Sequence, residues 1–335
     1  MSQLFYNKTT FNDDISSWDV SSVTNFSGML KNAYIFNQDI SSWNVSSVTN
    51  MSGMFNNAEA FNQDISGWDV SSVTSMSYMF AFTEAFNQDI SSWDVSSVTN
   101  MSYMFAQSNS FNQDLSDWDV SSVTNMDMMF EMAYGFNGDI SGWDVSNVTM
   151  MRSMFNNAPL FNQDISSWDV SSVTNMQLMF RHTSVFNQDI SNWNVSSVTN
   201  FTHMFYGAVA LSDENKCSIH TSFSSNDAWP YDWFEFCDFT AITQDNIQAA
   251  VDLWVSDNAT ALSTYGPINF WDVSLITYMS ELFKEKTTFN DDIGNWDVSN
   301  VTTMDDMFYI AESFNQDISG WDVSVSYTHL RAHET

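Results

Sequence analysis

The sequence has very few basic residues. It holds 8 Lys plus Arg against 41 Asp plus Glu, a formal net charge of -33 at pH 7. Such a surface repels the phosphates of nucleic acids and of anionic lipids. We therefore expect no nucleic-acid partner, and instead a basic partner, divalent cations or surroundings rich in salt.

Motifs of membrane spans and of catalysis are missing as well. No run of 18 apolar residues occurs that could span a bilayer, and no secretory signal pattern stands at the start. We find no glycine-rich phosphate loop, nucleophile elbow or HExxH pattern, and nothing singles out one carboxylate pair as the acid and base of a hydrolase. We predict a protein that is not an enzyme and needs no cofactor, with Ca²⁺ as the one ion to consider.

What the sequence has is a repeat with a period of 25 residues, most copies reading close to FNQDISSWDVSSVTNMSYMF. We call each copy a rung and number its positions from the leading Phe. A content of 44% apolar residues is ample for a continuous core. Rungs begin at Phe11, Phe36, Phe61, Phe86, Phe111, Phe136, Phe161, Phe186, Phe289 and Phe314.

The apolar spacing within a rung predicts two local structures. Trp43, Asn44 and Val45 alternate with a period of two, which indicates a strand with Trp and Val inward. The three- and four-residue steps from Val48 to Phe55 favour a short helical turn capped by Ser46 or Ser47. We therefore predict a leucine-rich-repeat-like solenoid, with a parallel strand stack on one side and short helical turns on the other.

The repeat also predicts the organisation of the chain. Residues from Met279 align without a gap on those from Met1, so we expect the N-terminal cap of the first array to be missing and the second array to be truncated. VSYTHLRAHET at the end resembles a translated sequencing adaptor. The predicted segments are a first array (1–210), its C-terminal cap with Cys217 and Cys237 (211–242), a helical N-terminal cap (243–265), a second array (266–324) and the adaptor-like string (325–335).

The repeated unit resembles the BspA-like family of leucine-rich-repeat surface proteins. W-D-V-S, V-T and M-F recur together at fixed offsets, over about residues 1–210 and 266–324. The resemblance implies an exported or surface-anchored protein, and some relatives act as adhesins. The family has no catalytic residues to carry over.

We predict a non-catalytic scaffold at the cell surface or outside the cell that binds a protein or glycan ligand, either basic or bridged by cations. Its binding face would be the polar side of the WDV stretch, which points outward because Trp and Val point inward. A passive spacer is the alternative, since near-identical rungs offer no focus for a specific site. The predicted face comprises Ser17, Asp19, Ser21, Ser42, Asn44, Asp69, Ser92, Asp94, Ser96, Asp119, Asp144, Asp169 and Asn194.

Stacked carboxylates and the two cysteines leave further alternatives open. Neighbouring Asp side chains about 4.8 Å apart repel one another, so either turn N–H groups or bridging Ca²⁺ ions must compensate. Cys217 and Cys237 form a disulfide in an oxidising compartment, or are reduced core residues. The candidate calcium residues are Asp39, Asp64, Asp89 and Asp114.

Overall fold

The computed structural model describes residues 1–324, which form two compact units that divide between Phe236 and Cys237. In the first unit, successive rungs stack in sequence order. The N–H groups of Phe26, Gly28 and Leu30 donate to carbonyl groups one rung later, each at 2.9 Å. Isolated parallel bridges join position 15 of each rung to the next, as in Asn25 with Asn50.

The predicted leucine-rich-repeat-like solenoid, with its parallel strand stack and helical turns, is wrong. Residues 1–324 contain no β-strand, and the rungs contain no α-helix. The WDV stretch cannot pair as a strand because turns interrupt it at both ends: Trp43 N–H donates to Ile40 C=O at 3.1 Å, and Val48 N–H to Val45 C=O at 2.8 Å. The bridges lie instead at position 15, outside the predicted strand.

The predicted helical turn is a pair of consecutive β-turns. Met54 N–H donates to Met51 C=O at 3.1 Å, and Gly53 within that turn has φ +61°. Asn57, four residues on, also has a positive φ, of 61°. A left-handed residue in every fourth position prevents an α-helix. The apolar steps of three and four residues therefore reflect turn geometry, with Met51, Met54 and Phe55 all buried.

The core consists of columns of identical side chains. The predicted inward direction of Trp and Val is confirmed, since Trp118 is 2% exposed and Val120 fully buried. Trp118 Nε1 donates to Ile90 C=O of the preceding rung at 3.0 Å, and its ring lies parallel to that of Trp143, 6.4 Å away. Burial of each such side chain contributes roughly 2–3 kcal/mol, so stacking of rungs is the main source of stability.

Helix α1 (Asp213–Phe223) covers the last rung of the first unit. Ser212 caps it by accepting from Asn215 N–H, and Phe223 is buried in the rung core. The amide of Asn226, just after the helix, donates to two carbonyl groups of the last rung at 2.8 and 2.9 Å. These contacts hold the segment after α1 against the last rung.

The second unit begins with helices α2 (Ile247–Ser256) and α3 (Asn258–Tyr265), in the segment predicted as a helical cap. Helix α2 buries Ile247, Ala250, Val251 and Trp254, which recur at helical spacing, and its N-cap residue is Asn246. Short 3-10 helices occur at Phe234–Phe236 in the first unit and Ile268–Phe270 in the second. The rungs that follow repeat the first unit's pattern, with a parallel bridge between Tyr278 and Thr303.

Both cysteines, Cys217 and Cys237, are disulfide-bonded. The adaptor-like string at 325–335 lies outside the described residues.

Candidate interaction surface

The predicted binding face is exposed, and we call it the Asx face because its Asp and Asn side chains bond to their own backbone. In the fourth rung, Asp94 Oδ1 accepts from the N–H of Ser96 at 3.1 Å and from its hydroxyl at 2.6 Å. Asn44 holds Ser46 in the same way. Ser21 and Ser96 are half-buried. The exposed members are Ser17, Asp19, Ser42, Asn44, Asp69, Ser92, Asp94, Asp119, Asp144, Asp169 and Asn194.

These hydrogen bonds lower the pKa of the carboxyl groups. The hydroxyl and the N–H of the serine two residues on donate to the charged form, and so hold the pKa below its usual value of 3.8. This holds for Asp19, Asp69, Asp94, Asp119 and Asp169. Each Asp and Asn of the face thus has a structural task within its own turn.

The candidate calcium residues take part in similar turns. Asp39, Asp64, Asp89 and Asp114 each accept from the N–H of the serine two residues on, at 2.9–3.0 Å. These N–H groups lower the pKa of Asp39, Asp64 and Asp89. Within residues 1–324, no three His, Cys, Asp or Glu side chains come together to hold a metal ion. Turn N–H groups thus supply compensation of the kind that stacked carboxylates require.

Differences between rungs concentrate on another part of the surface, the one formed by the consecutive β-turns. We call positions 17, 18, 21 and 22 the turn face. The Asx face holds Ser at position 11 and Asp or Asn at position 9 in all eight rungs of the first unit and varies mainly at position 7, whereas all four positions of the turn face change from rung to rung. Position 18 holds Gly28, Gly53, Tyr78, Tyr103, Met128, Ser153, Leu178 and His203.

Backbone geometry shows that the fold does not require these side chains. Position 18 has φ near +60° in every rung, including +62° at Gly28, +59° at Tyr78 and +60° at Leu178. Glycine adopts this conformation freely, whereas a side chain there costs about 1–2 kcal/mol. A large residue at position 18 is therefore retained against a backbone preference, which is typical of functional positions.

Tyr78 and Tyr103 form the centre of the turn face. Their rings stack with centroids 4.2 Å apart and planes 11° apart, and Tyr78 is 38% exposed. Partial burial, the hydrogen bond to Tyr103 and the nearby Glu131 raise the pKa of Tyr78 to about 12, although Arg152 acts in the opposite direction. The Tyr78 phenol therefore stays neutral at physiological pH and acts as a hydrogen-bonding group.

Polar side chains of the two following rungs continue the turn face beyond Tyr103. Asp127 is buried, and burial raises its pKa although Arg152 donates to it through its backbone N–H at 2.8 Å. The Arg152 side chain lies 3.6 Å from the same carboxylate. The amide of Asn156 donates to Glu131 at 2.8 Å. Asp127 thus contacts Arg152, and Glu131 contacts Asn156, which makes two polar pairs between the same two rungs.

The turn face also carries most basic residues of the first array. Of the four Lys and Arg in residues 1–210, Lys31, Arg152 and Arg181 lie on it, and only Lys8 lies elsewhere. Arg181 lies 5.9 Å from the ring centroid of Tyr206, which is 56% exposed. The acidic Asp columns belong to the Asx face, so the two faces differ in charge as well as in variability.

The turn face is not predicted from the sequence, because these positions are assigned to helical turns and the binding face is expected on the polar side of the WDV stretch. A column-by-column comparison of the rungs contains the signal. In such a comparison, positions 17, 18, 21 and 22 vary, as do positions 24 and 25, while their buried neighbours, such as Met104 and Phe105, do not.

A cavity of about 440 Å³ in the second unit belongs to the architecture. It is lined by Met307, Phe308, Ile318 and Trp321, whose equivalents in earlier rungs are covered by the rung that follows. We therefore assign it to the packing surface of a rung and not to a ligand site.

Stacked 25-residue rungs with a constant interior define a tandem-repeat protein. The chain belongs to the family described as Mycoplasma protein of unknown function, DUF285, which matches residues 1–85, 64–159, 135–228 and 253–330. The family supports the predicted repeat protein, although not a BspA-like leucine-rich repeat in particular. No curated protein matches the chain. Among residues 1–324, none of the helices has the length and apolar character needed to cross a membrane.

Proposed function

We propose that this protein is a non-catalytic binding scaffold at the cell surface or outside the cell, and that the turn face of its first unit makes the contact. One observation carries the proposal: position 18, where the backbone favours glycine, changes from rung to rung and holds Tyr, Met, Leu or His in five of the eight rungs of the first unit. Tyrosine and arginine are enriched among residues that dominate binding energy. Tyr78, Tyr103 and Arg152 therefore form the expected centre of contact.

The location outside the cell rests on two further observations. Both cysteines are disulfide-bonded, and disulfides persist mainly in oxidising compartments. The resemblance to BspA-like surface proteins implies export and, in some relatives, adhesion. A passive spacer is the second candidate, supported by the near-identity of the rungs on the Asx face.

Binding of the whole chain to arrayed glycans and extracellular-matrix proteins tests the proposal. The turn-face variant combines Tyr78→Ser, Tyr103→Ser and Arg152→Ser. Its matched control on the Asx face combines Asp69→Asn, Asp94→Asn and Asp119→Asn, which keeps the amide acceptor found naturally at Asn44 and Asn194. We expect the turn-face variant to lose at least tenfold in affinity, since each central contact contributes more than about 1 kcal/mol.

The control should bind as the unchanged chain does. Equal loss in both variants would contradict a contact on the turn face. Absence of any binding by the unchanged chain would favour the spacer.

A further inference from the structure

A trough lies on the turn face where position 18 holds glycine in two successive rungs. Gly28 and Gly53 leave an open space of about 230 Å³ beside Tyr78. One face of the Tyr78 ring is covered by Tyr103, at 4.2 Å. The opposite side faces Gly53, where an added Cβ would lie 3.9 Å from Cβ of Tyr78. The trough is therefore a gap in the position 18 column with an aromatic wall.

The gap is wide enough for a single ring. Neighbouring rungs are about 4.8 Å apart, close to the thickness of one stacked ring. A ring placed over Gly53 would continue the Tyr103 and Tyr78 stack by one step. The volume lies below the range of sites for drug-sized ligands, so one ring with its substituents is the appropriate occupant.

Polar groups around the trough indicate the chemistry of that ring. Its lining includes the side chains of Gln3, Tyr6, Ser52 and Ser77, and no aliphatic side chain. Within residues 1–324, Ser77 Oγ has no hydrogen-bond partner, while Ser52 Oγ is 2.8 Å from Ser75 Oγ. A pyranose presents C–H groups to an aromatic face and hydroxyls at its edge, which matches this combination of Tyr78 and hydroxyl lining.

Lys31 contributes a positive charge to the lining of the trough. It lines the trough, and it forms no ion pair among the described residues, unlike Arg152, Lys216 and Lys284. Lys8 and Arg181 also form no ion pair among these residues, and of the three only Lys31 lines the trough. A carboxylate on the bound ring would supply the missing partner.

We propose that the trough binds one acidic sugar residue of a glycan, an inference that rests on the proposed binding function. The sugar ring stacks on Tyr78 above Gly53, and its carboxylate pairs with Lys31. The net charge repels long polyanions, but at physiological ionic strength this repulsion is screened beyond about 8 Å. A single acidic residue within an otherwise neutral glycan is therefore the preferred ligand.

Two probes that differ only in the carboxylate test the proposal on the whole chain: methyl glucuronide and methyl glucoside, observed by saturation-transfer NMR and titration. We expect both to receive saturation on their ring C–H protons. The glucuronide should bind roughly two- to fivefold more tightly, as one exposed ion pair allows. Lys31→Gln should remove this preference and leave glucoside binding unchanged.

Gly53→Tyr should block both probes, because the new ring occupies the site of the sugar. The rungs tolerate Tyr at this position despite its left-handed backbone, since Tyr78 and Tyr103 hold it at φ +59° and +58°. Leu178→Tyr is the matched control: it adds the same side chain at φ +60° in a rung outside the trough, and should bind as the unchanged chain does.

Absence of saturation, equal affinity for the two probes, or full binding by Gly53→Tyr would overturn the proposal. Binding of N-acetyltyrosine amide at the trough in place of the sugars would also overturn it, in favour of a protein partner. If the turn-face variant still loses binding to the arrays when the sugar proposal fails, the scaffold function stands without it.

Discussion

The Asx face and the turn face of the first unit are parts of the same rungs but differ in nearly every respect. The Asx face repeats Ser at position 11 and Asp or Asn at position 9, and bonds each of these Asp and Asn side chains to its own turn. The turn face changes from rung to rung, carries most of the basic residues and places Tyr78 where glycine would fit. The comparison teaches that constancy in this protein marks folding, whereas variation marks the surface available for contact.

The largest change in the free energy of unfolding is expected from Trp118→Ala, in the core behind the Asx face. Trp118 is 2% exposed, stacks beside Trp143 and donates to Ile90, so we expect a loss of about 3–5 kcal/mol in the free energy of unfolding. Urea denaturation measures it. Tyr134→Ala, at a side chain 51% exposed, is the control and should cost less than about 0.5 kcal/mol.

The next effect is expected at low pH, where the Asp residues of the Asx face become protonated. The pKa values of Asp69, Asp94 and Asp119 are lower in the folded chain than 3.8, because serine groups donate to the charged form. Their contribution to stability is therefore fully present above about pH 3.8 and is lost as pH falls through the lowered values. The triple Asn control variant lacks these titrations, so its Tm should fall less than that of the unchanged chain between about pH 5 and pH 3. Parallel Tm curves would contradict this assignment.

A smaller effect is expected from Tyr78→Gly and Tyr103→Gly on the turn face. Relief of the left-handed backbone, about 1–2 kcal/mol, opposes the loss of the ring stack, about 0.5–1.5 kcal/mol, and the added chain entropy of glycine, about 0.5–1 kcal/mol. The free energy of unfolding should change by less than about 1 kcal/mol. The reciprocal change Gly53→Ala, at φ +61°, should destabilise the chain by about 1 kcal/mol. A loss as large as that of Trp118→Ala would show that the tyrosines belong to the fold.

The smallest effect should come from removal of divalent cations. Turn N–H groups already bond to Asp39, Asp64 and Asp89, so EDTA at low ionic strength should leave Tm unchanged. A fall in Tm that added Ca²⁺ restores would show that cations bridge these columns.

Several features of the fold could be predicted from the sequence. The 25-residue period, the buried Trp and Val columns and the buried face of α2 follow from spacing and hydrophobicity alone. The strand and the helical turn could not be predicted correctly, because a buried residue at every third or fourth position is compatible with both helices and consecutive β-turns. Their difference depends on the sign of φ at residues such as Gly53 and Asn57.

The sequence by itself determined which side chains are interior and that each rung repeats the one before it, because burial depends on residue type and period. Only the tertiary structure decided where backbone hydrogen bonds run and which positions share a surface. Tyr78, Lys31 and Gly53 lie up to 47 residues apart along the chain and meet at one trough because rungs stack in register, a relation that spacing within a single rung does not contain.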